Sequence, residues 1–162
     1  MADEKAKTKT QISVGDKSAQ LKVLTFDEIN VGDVLPECTK WITFKSAIRF
    51  GATYDDAFSG HLNPEVSEGQ FGVRDMPVQG AVVEAGVTPL IVNWLKSAKP
   101  WLCGGRQETR FLQIVIPGDT LIYKGTVMDK TTEGDKKYAV VDVFAENQKG
   151  EKVMVANVRV AF

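Results

Sequence analysis

From Thr109 to Phe162 the chain repeats one pattern four times: an alternating apolar and polar run, then a turn rich in Gly, Asp or Lys. The runs are "TRFLQIVI", "TLIYKGTVMD", "KKYAVVDVFAEN" and "EKVMVANVRVAF", separated by "PGD", "TTEGD" and "QKG". A period of two predicts strands with one buried face, and short turns between them predict an antiparallel meander. Before the strands lies the longest apolar segment, "GAVVEAGVTPLIVNWLKSAKP". It predicts a buried helix from about Ala81 to Ser97, with a kink or irregular turn at Pro89, which has no N–H to donate. Pro100 follows the predicted end of that helix.

Upstream, the signals are shorter. Phe26, Ile29, Val31 and Val34 can anchor a loop or short strand. Trp41 to Phe44 favour a strand, and Ser46 is a candidate N-cap for a short helix carrying Ala47, Ile48 and Phe50. "HLNPEVSEGQFG" reads as a connection marked by Pro and Gly. Residues 1–20 are polar and predict a flexible tail before a single domain over 21–162. One helix followed by strands gives an α+β fold, a curved antiparallel sheet wrapped around a long central helix. Such a sheet leaves an edge strand open, and pairing two copies along it predicts a dimer.

Composition narrows the function. The 162 residues carry 20 basic and 21 acidic side chains, so no basic excess exists to hold a phosphate backbone, and nucleic acid is not an expected partner. The apolar segment contains Glu84, Thr88, Pro89 and Asn93, too broken for a bilayer span, so no membrane partner is expected. Cys38 and Cys103 fit no zinc spacing, and one histidine cannot supply a His-based metal cluster. Free thiols without a secretory signal point to the cytoplasm. Neither a metal nor a cofactor is expected.

One polar stretch, "YDDAFSGHLNPE" from Tyr54 to Glu65, concentrates candidate chemistry: two adjacent carboxylates, Asp55 and Asp56, a Ser-Gly step, and His61, the single histidine. The bland reading is a solvated loop. The flanking motifs favour a site, because the chain resembles the MaoC-like dehydratases, hot-dog-fold relatives of the (R)-specific enoyl-CoA hydratases. The resemblance rests on Asp56 and His61 five residues apart, on "HLNPE" with Asn63 where the family has Asp, and on "RFGATYDD" before them. It continues through "TFDEINVGDVLPE", "MPVQGAVVEAGV" and "TRFLQIVIPGDTLIYKGTV", in order, over about residues 24–162. The chain departs from the family at Phe58-Ser59, where an Asn-Pro pair is usual.

The resemblance implies a hot-dog domain that acts on acyl-CoA thioesters as a hydro-lyase. Adding water across a 2-enoyl thioester needs a base for the water, an acid for Cα, and donors for the charge on the thioester oxygen. Asp56 and His61 would hold and activate the water, with Asp55 the rival carboxylate by position. An imidazole, ordinarily titrating near about 6.5, suits such proton traffic. By resemblance the Gly80 N–H would polarise the thioester carbonyl, although a Gly there can equally mark a loop-to-helix turn. Phe58 and Ser59 would border the substrate, and Phe71, Trp94 and Trp101 could line an acyl tunnel or belong to the core. Arg106 and Arg110 are candidates for the CoA phosphates, with a solvated loop as the alternative for Arg106. Glu84 is either a buried partner or the point where its helix surfaces. Two rivals remain: a non-catalytic acyl-CoA-binding or heteromeric partner subunit, and a hot-dog thioesterase. The expected assembly is a homodimer or higher oligomer, or a heteromer with a second hot-dog chain.

Overall fold

A computed structural model of the chain describes residues 22–53 and 59–162. The tail and the candidates Asp55, Asp56 and Phe58 lie outside the described residues. The described residues form a five-stranded antiparallel sheet in the order β1-β3-β4-β5-β2. The strands are β1 (Cys38–Trp41), β2 (Arg106–Phe111), β3 (Thr120–Glu133), β4 (Lys136–Glu146) and β5 (Lys152–Ala161). The last three alternating runs are therefore strands, whereas of the first run only 109–111 is strand, the end of β2; the fold is the α+β arrangement the pattern predicts.

Their order departs from a simple meander. β3, β4 and β5 are consecutive hairpin neighbours, but β2 crosses to pair with β5, from Arg106 opposite Arg159 to Phe111 opposite Met154. β1 takes the place beside β3, with Cys38 opposite Tyr123. Turn signals fix which runs are joined; they carry no information about which outer edge a preceding strand will cap.

The upstream helix also starts earlier than the Ser46 cap would set it. The helix α1 (Phe44–Thr53) begins three residues before the Ala47 start that cap would give. Thr43 holds its first turn, accepting the Ser46 N–H on both its carbonyl (2.9 Å) and its Oγ1 (3.2 Å). A second short helix, α2 (Pro64–Phe71), occupies part of the segment read as a connection.

The predicted central helix is two helices, α3 (Gly80–Glu84) and α4 (Val87–Leu95), with a last turn α5 (Lys99–Leu102). The break falls before Pro89, because the missing Pro89 N–H leaves the carbonyl four residues back without its helical partner. On α4, Val87, Leu90, Ile91, Trp94 and Leu95 are buried at helical spacing. They pack on Leu121, Tyr123 and Val127 of β3, Val141 and Val143 of β4, and Val158 and Val160 of β5. The sheet thus buries one face on the helices and shows Thr126, Asp142, Phe144 and Asn157 on the other, where a larger groove of about 630 Å³ crosses it.

At the break, the Tyr123 ring lies against Gly86 and its hydroxyl donates to the Val83 carbonyl (2.6 Å). Burial pushes the Tyr123 phenol well above its ordinary range, so it stays a donor. From β1, the Lys40 ammonium donates to the neighbouring Val82 carbonyl (2.5 Å), and burial lowers its pKa. Two side chains from the sheet therefore grip the end of α3, whose other end carries the candidate Gly80.

Candidate active site

His61 is delivered by a tight turn between the undescribed segment 54–58 and α2. The Leu62 N–H donates to the Ser59 carbonyl (3.1 Å), and the His61 N–H donates to Ser59 Oγ (3.2 Å). Gly60 donates its N–H to Gln70 Oε1 (3.0 Å), which ties the turn to α2. Ser59 thus has a structural task in shaping the turn beneath His61.

Asn63 closes the turn and starts α2. Its Oδ1 accepts the N–H groups of Glu65 (2.9 Å) and Val66 (3.3 Å), with Pro64 at the first helical position. That explains why Asn stands where the related motif has Asp: both are good N-caps. Asn63→Ala is expected to destabilise the protein by about 1 kcal/mol, while Asn63→Asp should equal or exceed the native stability, because a carboxylate complements the helix N-terminus. Denaturant unfolding of the two variants checks this; equal losses would rule out a capping role.

α2 in turn fixes the strand of backbone facing His61. The buried Ser67 donates its hydroxyl to the Val73 carbonyl (2.6 Å), the chain runs on to Pro77, and Val78 donates to the Val115 carbonyl (2.9 Å). The consequence is a hydrogen bond of 2.6 Å between His61 Nδ1 and the Pro77 carbonyl. A carbonyl can only accept, so Nδ1 carries the proton and the neutral ring keeps its lone pair on Nε2. The imidazole also lies 5.2 Å from the Phe71 ring, centre to centre, which limits its rotation.

His61 and Gly80 line the same cavity, about 190 Å³ in volume, with Phe71, Val78, Val83, Phe111 and Val115 among its other walls. A base with a fixed tautomer thus shares a mostly apolar pocket with the first residue of α3. At a helix start the leading N–H groups have no partner within the helix. The arrangement can accept a proton at Nε2 and offer hydrogen-bond donors to an oxygen. Among the described residues no group of three or more His, Cys, Asp or Glu side chains could hold a metal ion.

Other candidates fall elsewhere. Arg106 begins β2 at the end remote from Phe111, exposed beside Glu108 (3.9 Å), so one chain does not bring it to His61. Arg110 lines the groove on the other face of the sheet. Trp94 is core, Trp101 packs against the core, and of the three aromatic side chains only Phe71 reaches the cavity. Glu84 is half exposed at the end of α3, where the helix surfaces. Cys38 and Cys103 are free thiols, and no helix among the described residues is long and apolar enough to cross a membrane. Sequence reasoning missed Pro77, whose contribution is a backbone carbonyl, and Phe111, which reads as an ordinary strand residue.

A sheet wrapped around a broken central helix defines the hot-dog fold, and here a histidine and a helix start line one pocket of it. Solved structures bear out that fold. The MaoC-like dehydratase from Rhodospirillum rubrum superposes with a TM-score of 0.69 at 23% identity, over 85% of this chain and 95% of that one. The (R)-hydratase PhaJ1 from Pseudomonas aeruginosa gives 0.65 at 24% identity, over 85% and 84%. By sequence, the chain is 29% identical over 116 residues to Protein MaoC of Klebsiella aerogenes, covering 67% of this chain and 32% of that protein. It therefore spans about a third of that relative's length. No family model matches the chain. The resemblance to MaoC-like proteins read from the sequence agrees with these likenesses.

Proposed function

We propose that the protein is a hydro-lyase of the MaoC-like kind, adding water to 2-enoyl-CoA thioesters to give (R)-3-hydroxyacyl-CoA, or running the reverse dehydration. The observation that carries the reading is the His61 tautomer: Nδ1–H is committed to the Pro77 carbonyl, which leaves Nε2 as a base in the cavity that Gly80 borders. In the forward direction His61, with Asp56 five residues before it, takes a proton from water. The hydroxide adds to C3, the proton goes to C2, and the Gly80 N–H meets the negative charge passing through the thioester oxygen. Preorganised donors of that sort are worth about 3–4 kcal/mol of barrier, similar to the general-base contribution.

β2 is an edge strand, and Phe111, Leu112 and Ile114 beside its end are each about half exposed. Their position next to the His61 cavity supports an assembly in which a second hot-dog chain pairs along β2. An identical chain makes a homodimer; a different one makes a heteromer, the arrangement in which this subunit could bind acyl-CoA without catalysing. Arg106 would then meet CoA phosphates only with the help of the second chain.

A panel of 2-enoyl-CoA substrates, followed by loss of the conjugated double bond and then by product chirality, tests the reading. Turnover to the (R)-product supports it. Binding of acyl-CoA with no loss of absorbance would replace it with the partner-subunit reading, and thiol release from a saturated acyl-CoA would replace it with a thioesterase.

A further inference from the structure

We infer that Phe111 is the movable wall of the His61 cavity and sets how long an acyl chain the protein accepts; the inference rests on the acyl-thioester reading above. The cavity holds about 190 Å³, below the usual range for a small-molecule site. A four-carbon acyl group fills such a space; a twelve-carbon one needs a wall to give way.

The walls differ in their freedom. Val78, Val83 and Val115 are almost fully buried and belong to the core, so moving them would disrupt the packing around α3 and the sheet. Phe111 is 47% exposed and is the last residue of the edge strand β2. Its alternation partners Gln107 and Thr109 place it on the helix-facing side of the strand. There its ring covers Gly80: a Cβ on that glycine would come within 2.7 Å of two ring carbons. The ring therefore lies directly over the residue whose N–H would receive the thioester oxygen.

The backbone next to Phe111 is also irregular. Leu112 and Gln113 both donate to the Val153 carbonyl, at 2.8 and 3.3 Å, so the ladder with β5 ends in a bulge-like step. Such steps release a strand from strict pairing and aim its side chains locally. A second chain paired along the edge of β2 would bond in the plane of the sheet and leave the ring's helix-facing side to the cavity.

The test compares wild type with Phe111→Ala, Phe111→Leu and Phe111→Trp on crotonyl-CoA and trans-2-dodecenoyl-CoA, scoring the ratio of kcat/KM for the long over the short substrate. Phe111→Ala should raise that ratio at least tenfold, Phe111→Leu by less, and Phe111→Trp should lower it. A purely structural Phe111 would change both substrates alike, so ratios within twofold of wild type in all three variants would overturn the inference. Isothermal titration with butyryl-CoA and lauroyl-CoA supplies the same ratio from dissociation constants and needs no turnover. A wild type that binds both acyl-CoAs yet hydrates neither enoyl-CoA defeats the hydratase reading while the binding ratio still decides the role of Phe111. A wild type that binds neither defeats both. Should Phe111→Ala fail to fold, the Leu and Trp variants must shift the ratio in opposite directions or the inference fails.

Discussion

His61→Ala is expected to lower kcat for hydration of a short enoyl-CoA by about 10²–10⁴-fold, with KM little changed, because general acid–base groups contribute that much to a positioned proton transfer. The loss should fall on kcat because Nε2 acts on the water and on developing charge, not on the bound thioester. The structural cost is small by comparison. Truncation removes one hydrogen bond to the Pro77 carbonyl and one ring contact with Phe71, worth about 1–2 kcal/mol together. His61→Gln sharpens the result. A Gln amide can still donate to Pro77 and hold the turn, yet it cannot accept a proton near neutral pH, so it should fold like wild type and be as inactive as the alanine variant. Asp56→Asn should match it if that carboxylate shares the water, and Asp55→Asn should then be close to neutral. Wild-type rates in either His61 variant would remove the acid–base role.

Which parts of this could be read from the sequence follows from the range of the forces involved. The strands were legible because alternation records, residue by residue, which face is buried; β3 and β4 show it for most of their length. The buried face of α4 was legible for the same reason, with a period of 3.6. The place of β2 beside β5 was not, since edge choice depends on pairing between residues some fifty positions apart. His61 was legible as a candidate through its motif, but the bond that fixes its tautomer comes from the backbone of Pro77, and a carbonyl is present at every position. Arg106 illustrates the converse. Its residue type suits phosphates, yet type says nothing about distance, and its strand carries it to the far end from the cavity. The break of the central helix was anticipated at Pro89 because that cause is local; its actual position was not, because the second cause is a tyrosine from another element.

That second cause predicts the largest stability effect in the protein. Gly86→Ala is expected to destabilise the fold by about 3 kcal/mol or more, lowering Tm by roughly 6–12 °C. Helix-interior propensity does not decide the matter, because Gly86 lies between α3 and α4, at the N-cap of α4. Nor does the backbone demand glycine: Gly86 has φ −71° and ψ −17°, ordinary right-handed values open to any residue. The contact decides. A Cβ at Gly86 would lie 2.1 Å from Tyr123 Cζ and 2.5 Å from both Cε atoms. Tyr123 cannot retreat cheaply, because it is fully buried and its hydroxyl is bonded to the Val83 carbonyl. Moving the ring would cost overpacking strain and that buried hydrogen bond together. Because Gly86 and Tyr123 touch, their effects should be strongly non-additive. Tyr123→Leu is destabilising by itself, but adding Gly86→Ala to it should cost under about 1 kcal/mol, since the ring no longer occupies the space. The same displacement would shift α3 and Gly80 with it, so residual activity of Gly86→Ala should fall even at temperatures where the variant is folded. Thermal unfolding of the two single variants and the double variant measures the coupling. A Gly86→Ala protein as stable as wild type would show that the ring moves aside freely and that the break between α3 and α4 is held by Pro89 alone.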